Sequence, residues 1–304
     1  MENKPYLDDS WMAEQILRHG DSTSIGEANG IPARTIRRYL KRFRDRQAQL
    51  SILNMETQYP IAPMAEELVL TGNGVVSSDW HLPLTDYKLA ARLVQTAIDH
   101  GLTDWLLIVG DYFNLDAMSR FDEKQESAGL SVELAAAGQL LELLLEVFGT
   151  IYITKGNHDW RFLGKLGFKL KFEKSIKMLL PDIPDEKMER IIVTTYDYVR
   201  IETPSGPWHC AHTSQYSKIP MSVPRELCDI YGMHVAGAHR HHHGITTSKG
   251  GYMAVELGGL FDPDKAHYLK QYTNTFPKWT PGWMLLYEGM PYLPMLSPVP
   301  PFAS

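Results

Sequence analysis

The chain has 304 residues, a formal net charge of -6, 44% hydrophobic residues and two cysteines. That length and apolar content suffice for one large domain with its own core plus an appendage, and the acidic balance excludes a generic polyanion binder, so any nucleic-acid contact must be a local basic patch. Cys210 and Cys228 supply no disulfide framework, the N-terminal MENKPYLDDSW has no apolar signal core, and no run of about 18 apolar residues offers a membrane span, which together fit a reducing cytoplasmic compartment and no membrane contact.

Residues 1–50 read as a helical appendage that ends basic. Asp8 to His19 predicts a helix starting at Asp8 or Ser10. From Ser22 to Ile36 the chain predicts a short helix, a turn at Gly30 and a second helix beginning near Pro32, with Ile25, Ile31 and Ile36 as a small core. In that second helix Arg34, Arg37, Arg38, Lys41, Arg42, Arg44 and Arg46 face a single acid, Asp45. Such a helix can lie in a DNA groove, early residues near base edges and later ones near phosphates. The pattern resembles the DNA-binding helix-turn-helix of bacterial and phage proteins, which makes Arg34, Arg37, Arg38, Lys41 and Arg42 candidate contacts to DNA or RNA. A plain protein-contact module is the alternative. Trp11, Tyr39 and Phe43, at helical spacing, are expected in the core rather than as a stacking platform.

Residues 51–72, with Pro60, Pro63 and no clear period, read as a linker. A domain over 73–290 follows, then a Pro-rich tail over 291–304. The domain predicts a strand at Gly74–Ser78, a helix at Asp86–His100 with Leu89, Leu93, Ala97 and Ile98 on one face, and a strand at Trp105–Val109. A helix at Ser131–Phe148, a strand at Ile151–Thr154 and a basic helix at Trp160–Leu180 come next. Lys165, Lys169, Lys171, Lys174 and Lys177 of that helix are expected on an exposed face, with a substrate-facing rim as the alternative. Strands are expected at Arg190–Thr194, Tyr198–Glu202, Trp208–Ala211, His234–Ala236, Tyr252–Leu257 and Trp283–Tyr287. Alternating strand and helix in the first half imply parallel β-α-β units, and the second half is mostly strand. Two sheets packed face to face with helices outside satisfy both halves, an α/β (α+β) fold.

Five polar clusters end apolar runs: Asp79-Trp80-His81, Gly110-Asp111, Gly156-Asn157-His158-Asp159, His212 and His239-Arg240-His241. On a strand end, residues i and i+2 share a side, so Asp79 and His81 can grip one ion. Asp111 closes a buried-strand run, at the edge where open α/β sheets bind ligands, and Gly110 permits a sharp turn. Asn157 offers a neutral oxygen ligand and His158 an acid or base. Asp159 can orient an imidazole or cap the next helix. His209, read on the same strand face, is the alternative to His212, and His241/His243 is the alternative to His239/His241. Trp80 either walls the site or sits in the sheet core.

In this order the clusters resemble the calcineurin-like metallophosphoesterases: D-x-H, G-D, G-N-H-D, H and G-x-H-x-H over roughly residues 74–260. Two positions depart from the family pattern, Ala238 where a Gly is usual and Asn114 where many members carry Asp. The resemblance implies a four-layer αββα sandwich with Asp79, His81 and His241 as ligands of one metal, Asn157, His212 and His239 as ligands of a second, and Asp111 bridging both. It implies that His158 contacts the phosphate and protonates the leaving oxygen. The implied cofactors are two divalent ions, Mn, Fe or Zn with Mn favoured, since imidazole and carboxylate ligands without thiolate suit them. The expected reaction is hydrolysis of a phosphodiester, plausibly nucleic acid, by metal-activated hydroxide. The alternatives are a phosphomonoesterase or protein phosphatase, and a non-catalytic DNA-binding regulator with a structural metal site.

Overall fold

The structure, a computed structural model, describes residues 5–58, 66–118, 129–165, 167, 172–194, 196–266 and 279–294. The chain divides into two compact units, Met1–Met64 and Ala65–Ser304.

The first unit holds three helices, α1 (Asp9–His19), α2 (Ser22–Asn29) and α3 (Ala33–Gln58). The Asp8 side chain accepts from the Trp11 N–H, and Asp21 accepts from Thr23 and Ser24 N–H groups, so each of the first two helices starts on an aspartate cap. Gly30, at φ 64°, ends α2 in the left-handed conformation that Gly adopts without penalty. Met12, Ile25, Ile36 and Leu40 are buried between the helices, with Ile31 half-buried. Trp11, Tyr39 and Phe43 are half-buried, and Tyr39 lies 4.9 Å from Tyr6, so these rings pack. Residues 51–58, read as linker, are the last turns of α3. Leu50, Ile52 and Leu53 are exposed there, so no buried apolar stripe marks residues 50–54. Pro60 and Pro63 lie outside the described residues.

The second unit runs β1 (Val69–Thr71), β2 (Gly74–Ser77), α4 (Tyr87–Asp99), β3 (Trp105–Val109), α5 (Leu130–Leu145), β4 (Thr150–Thr154), α6 (Asp159–Lys165), α7 (Phe172–Leu179), α8 (Asp185–Met188), β5 (Ile191–Val193), β6 (Tyr198–Glu202), β7 (Trp208–Ala211), α9 (Ser222–Tyr231), β8 (His234–Gly237), β9 (His243–Thr247), β10 (Met253–Leu257), β11 (Met284–Tyr287) and β12 (Met290–Tyr292). Two six-stranded sheets form, ordered β12-β11-β2-β3-β4-β5 and β1-β6-β7-β8-β10-β9. β2 to β5 are mutually parallel, as are β7, β8 and β10. The sheets face each other through Val76, Leu107 and Val109 on one side and Val199, Ile201, Trp208, Cys210 and Val255 on the other. On the first sheet's outer face α4, α5 and α7 bury Leu93, Leu141 and Ile176 against Leu106, Ile108 and Ile153. α9 packs on the outer face of the second. This is the αββα sandwich.

Several elements differ from the sequence reading. Leu89, Leu93 and Ala97 are buried, but Ile98 is exposed. At about 100° per residue it lies about 180° from Leu89 round the helix, so the buried stripe is completed by Ala90 instead. The expected helix over 160–180 is two, α6 and α7. Lys165, Lys174 and Lys177 are exposed, and Lys169 and Lys171 lie outside the described residues. α9, β1, β9 and β12 had no sequence expectation. The tail begins as β12, and residues 295–304 lie outside the described residues.

Leu107 is fully buried between the sheets. Leu107→Ala is expected to cost about 2–5 kcal/mol, read as a lower urea midpoint with the slope unchanged.

Candidate metal centre

The polar clusters leave the carboxyl ends of neighbouring strands. Asp79 follows β2, Asp111 follows β3, Gly156-Asn157-His158 follows β4, His212 follows β7 directly and His239 follows β8. Each chain must turn at once from extended strand into the site. Asp79 (φ 51°), His81 (φ 47°), Asp111 (φ 50°), His239 (φ 86°) and His241 (φ 54°) all take left-handed backbone, a conformation that non-glycine residues adopt at a cost. Cross-turn hydrogen bonds hold them there: Asp79 N–H to Gly110 O at 3.2 Å, His81 N–H to Asp111 O at 3.0 Å, and His239 N–H to the Asp79 carboxylate at 3.1 Å.

The side chains converge in three linked groupings, Asp79–His81–His241, His81–Asp111–His158 and Asp111–His212–His239. Asp79 Oδ1 lies 3.1 Å from His241 Nε2 and 3.7 Å from His81 Nε2, and the two imidazole nitrogens are 3.3 Å apart. Asp111 Oδ2 lies 3.2 Å from His212 Nε2, with His239 completing that grouping. Asp111 Oδ2 is also 3.9 Å from His81 Nε2. Asn157 is exposed on the turn after β4, one residue before His158.

Both carboxylates are buried, and their ion-pair partners among the described residues are imidazoles. Burial by itself raises a carboxyl group, yet His241, His212 and His81 hold Asp79 well below the usual range. Asp111 is likewise lowered against its burial by His212 and His158. Conversely, burial works against His212, but the two carboxylates raise it well above an ordinary histidine.

His158 is fixed on both ring nitrogens. Nδ1–H donates to the Asn114 carbonyl at 2.8 Å, and Nε2 accepts from the Arg161 guanidinium at 3.1 Å. Burial pushes the imidazole down to about 3, so it is neutral at neutral pH in this arrangement. Arg161 also donates to the Asn114 carbonyl at 2.7 Å and to Asp116 at 2.9 Å. The sequence reading passed over Arg161. Its signal was the i, i+3 spacing from His158 at a helix start, which puts both on one face.

Asp159 neither orients an imidazole nor caps α6 on its own. Its carboxylate accepts from the N–H groups of Asp111 at 2.9 Å and Gly156 at 2.7 Å, stapling two site turns together. Burial, with the neighbouring Asp111 charge, pushes it up to about 7 against those donors. The glycines are steric requirements. A Cβ on Gly110 (φ 74°) would lie 2.7 Å from the His212 ring, and one on Gly156 would overlap the Asp111 carboxylate.

Other sequence candidates lie elsewhere. His209 points to the outer face of its sheet and stacks on Tyr198 at 4.6 Å. It is three residues before His212, so strand alternation separates the two rather than placing them together. His243 shares its Nδ1 with the Leu257 carbonyl at 3.2 Å. Trp80 is fully buried in the core and donates to Ser77 Oγ at 3.0 Å.

Metal–ligand bonds of about 2.0–2.2 Å place neighbouring ligand atoms about 3.0–3.5 Å apart. The Asp79–His81–His241 triangle and the Asp111–His212 edge lie close to that range, with acceptor atoms aimed at common points. In His81 and His241 the buried Nδ1 has no hydrogen-bond partner among the described residues, and edge-on packing against Phe261 positions both rings. The residues present therefore fit divalent cations.

The family model of the calcineurin-like phosphoesterases matches residues 75–250, and the chain belongs to that family. Membership and the buried carboxylate–imidazole groupings together make it a metal-dependent phosphoesterase. Similar solved structures include a Vps29 single mutant from Entamoeba histolytica at 14% identity and TM-score 0.35, covering 71% of this chain and 87% of that one. A protein from Thermotoga maritima shows 14% identity and TM-score 0.35, with 73% and 97% covered. One of unknown function from Aquifex aeolicus shows 15% identity and TM-score 0.28, with 59% and 84% covered. No curated protein matches the chain. Among the described residues no helix is long and apolar enough to cross a membrane.

Gly156→Ala drives a methyl group into the Asp111 carboxylate. It is expected to abolish calorimetric divalent-cation binding and cut phosphoester turnover by about 10²-fold or more, with the far-ultraviolet circular dichroism little changed.

Proposed function

We propose that the chain is a dinuclear phosphodiesterase acting on nucleic acid, with Mn²⁺ the favoured ion and the cytoplasm its compartment. The observation that carries the dinuclear reading is the position of Asp111 Oδ2, against His212 of one grouping and His81 of another. In this reading Asp79, His81 and His241 hold one ion, His212, His239 and Asn157 hold the second, and Asp111 serves both. When bound, two divalent cations neutralise the phosphate oxygens, fix an in-line geometry and activate a water at neutral pH.

The chain's own groups do the rest. The Asn114 carbonyl holds the proton of His158 on Nδ1, which aims Nε2 away from the turn. Once a phosphate takes over the guanidinium donors now facing it, Nε2 is free to take up a proton from solvent beside the phosphate anion, and that proton would then pass to the leaving oxygen. Arg161, anchored by Asn114 and Asp116, keeps a planar set of N–H donors suited to phosphate oxygens. The unpaired, buried Cys210 and Cys228 are in keeping with a reducing compartment.

The N-terminal unit supports the nucleic-acid part of the reading. α2, the Gly30 turn and α3 have the connectivity of a helix-turn-helix of the bacterial and phage type, and Arg34, Arg37, Arg38, Lys41 and Arg42 are all exposed on α3. Arg38 and Arg42 lie over the Tyr39 ring at 4.8 and 5.5 Å, which holds their guanidinium groups along one stretch of helix.

With Mn²⁺ the protein is expected to hydrolyse bis(p-nitrophenyl) phosphate. EDTA should remove the activity, and Asp111→Ala and His158→Ala should each lower kcat by about 10²–10⁴-fold. Faster turnover of p-nitrophenyl phosphate than of the diester would assign it to monoesters instead. Separately, Arg37→Ala/Arg38→Ala/Lys41→Ala in the full chain is expected to weaken duplex DNA binding at least about tenfold and to flatten its salt dependence, measured by fluorescence anisotropy. Unchanged affinity would retire the DNA-binding role of α3.

A further inference from the structure

The outer face of the second sheet is covered unevenly. α9 packs over β8 and β10 through Val223, Leu227 and Cys228. On the adjoining β6 and β7, Val199, Ile201, Trp208 and Cys210 point between the sheets, so the alternate residues Tyr198, Arg200, His209 and Ala211 point outward. A cleft of 450 Å³ lies there, and His212, whose imidazole is buried beside Asp111, is among the residues that line it. The cleft and the metal centre therefore share a wall.

Its lining is aromatic with polar edges. Tyr198 and His209 stack at 4.6 Å with 30° between their planes, and Tyr231 follows 4.7 Å from His209. Burial lowers the His209 imidazole and so favours its neutral form in the middle of the row. Asp197 and Gln215 add a carboxylate and an amide to the lining. Asp197 pairs at 2.9 Å with Lys155, the residue just before Gly156 and Asn157, so this edge of the cleft also reaches the site. A flat ring with hydrogen-bonding edges, linked through a few atoms to a phosphate, is the chemistry that matches a stacking row, amide and carboxylate edges, and a shared wall with a phosphoester centre.

We propose that this cleft is a nucleobase subsite: a nucleotidyl phosphoester binds with its phosphate at the Asp79–Asp111–imidazole cluster and its base against Tyr198, His209 and Tyr231. The proposal rests on the phosphodiesterase reading and names the substrate group next to the scissile phosphate.

The test compares two diesters with the same leaving group, thymidine 5′-(p-nitrophenyl phosphate) and methyl p-nitrophenyl phosphate, on the full-length protein with Mn²⁺. The nucleotidyl ester is expected to have the higher kcat/KM by about tenfold or more, mostly through KM. Tyr198→Ala and His209→Ala should each erase most of that preference, and Tyr198→Phe should keep it. A wild-type protein without preference, or a ratio unmoved in both alanine variants, overturns the subsite, as do equal losses on both esters. Turnover of the methyl ester with an unmoved ratio leaves the phosphodiesterase reading standing and removes only the cleft assignment. Should neither ester be turned over, that reading falls. Equilibrium dialysis of thymidine 5′-monophosphate then decides the cleft alone, weaker binding in the alanine variants supporting it and equal binding overturning it.

Discussion

Two carboxylates buried at the strand edges, Asp79 and Asp111, govern the structure around them. A buried anion costs several kcal/mol unless it is paired and hydrogen-bonded, and here the pairing comes from three imidazoles, His81 on the Asp79 segment and His212 and His241 on two others. Each of those segments must reach the same point from a different strand. That requirement explains why five site residues accept left-handed backbone and why their turns are tied to one another by backbone hydrogen bonds. The arrangement suits cations because its two carboxylates supply negative charge and its imidazoles can give up their protons to present neutral nitrogen ligands.

The sandwich makes this convergence affordable in space. Parallel strands deliver their carboxyl ends to one edge, so clusters distant in sequence become neighbours without long connections. Tight approach then depends on what is missing: side chains at Gly110 and Gly156. Asp159 completes the frame by accepting N–H groups from the Asp111 and Gly156 turns together. It is a buried carboxylate that acts on backbone, and it couples the first sheet's turns into one rigid unit.

Behind the loop that carries His239 and His241 lies a second buried polar group. Arg240 approaches Glu256 at 3.4 Å, His242 approaches the same carboxylate at 3.2 Å, and the exposed Tyr216 ring covers the guanidinium at 4.8 Å. Side chains therefore alternate along this loop: the odd positions face the site and the even ones grip β10. The same alternation on β6 and β7 turns one set of residues into the core and the other into the cleft beside His212.

Much of this was legible in the chain itself. Apolar runs ending in Asp79, Asp111 and Asn157 located β2, β3 and β4 and the edge they share, because a buried parallel strand leaves an uninterrupted hydrophobic signature. Asp8 and Gly30 marked helix ends because capping is local. Other features depend on neighbours that sequence spacing does not show. β1 and β12 are edge strands defined by pairing with β6 and β11, and residues 51–54 of α3 are exposed. The odd spacing of His209 and His212 puts them on opposite strand faces, and only the structure shows which of the two meets Asp111. Arg161 becomes part of the site only because the Asn114 turn meets the start of α6. Sequence by itself determined which chemical groups the chain carries and where its strands stop. Tertiary structure decided which of those groups meet, since contact between clusters up to about 160 residues apart is a property of sheet order and of the turns that space allows.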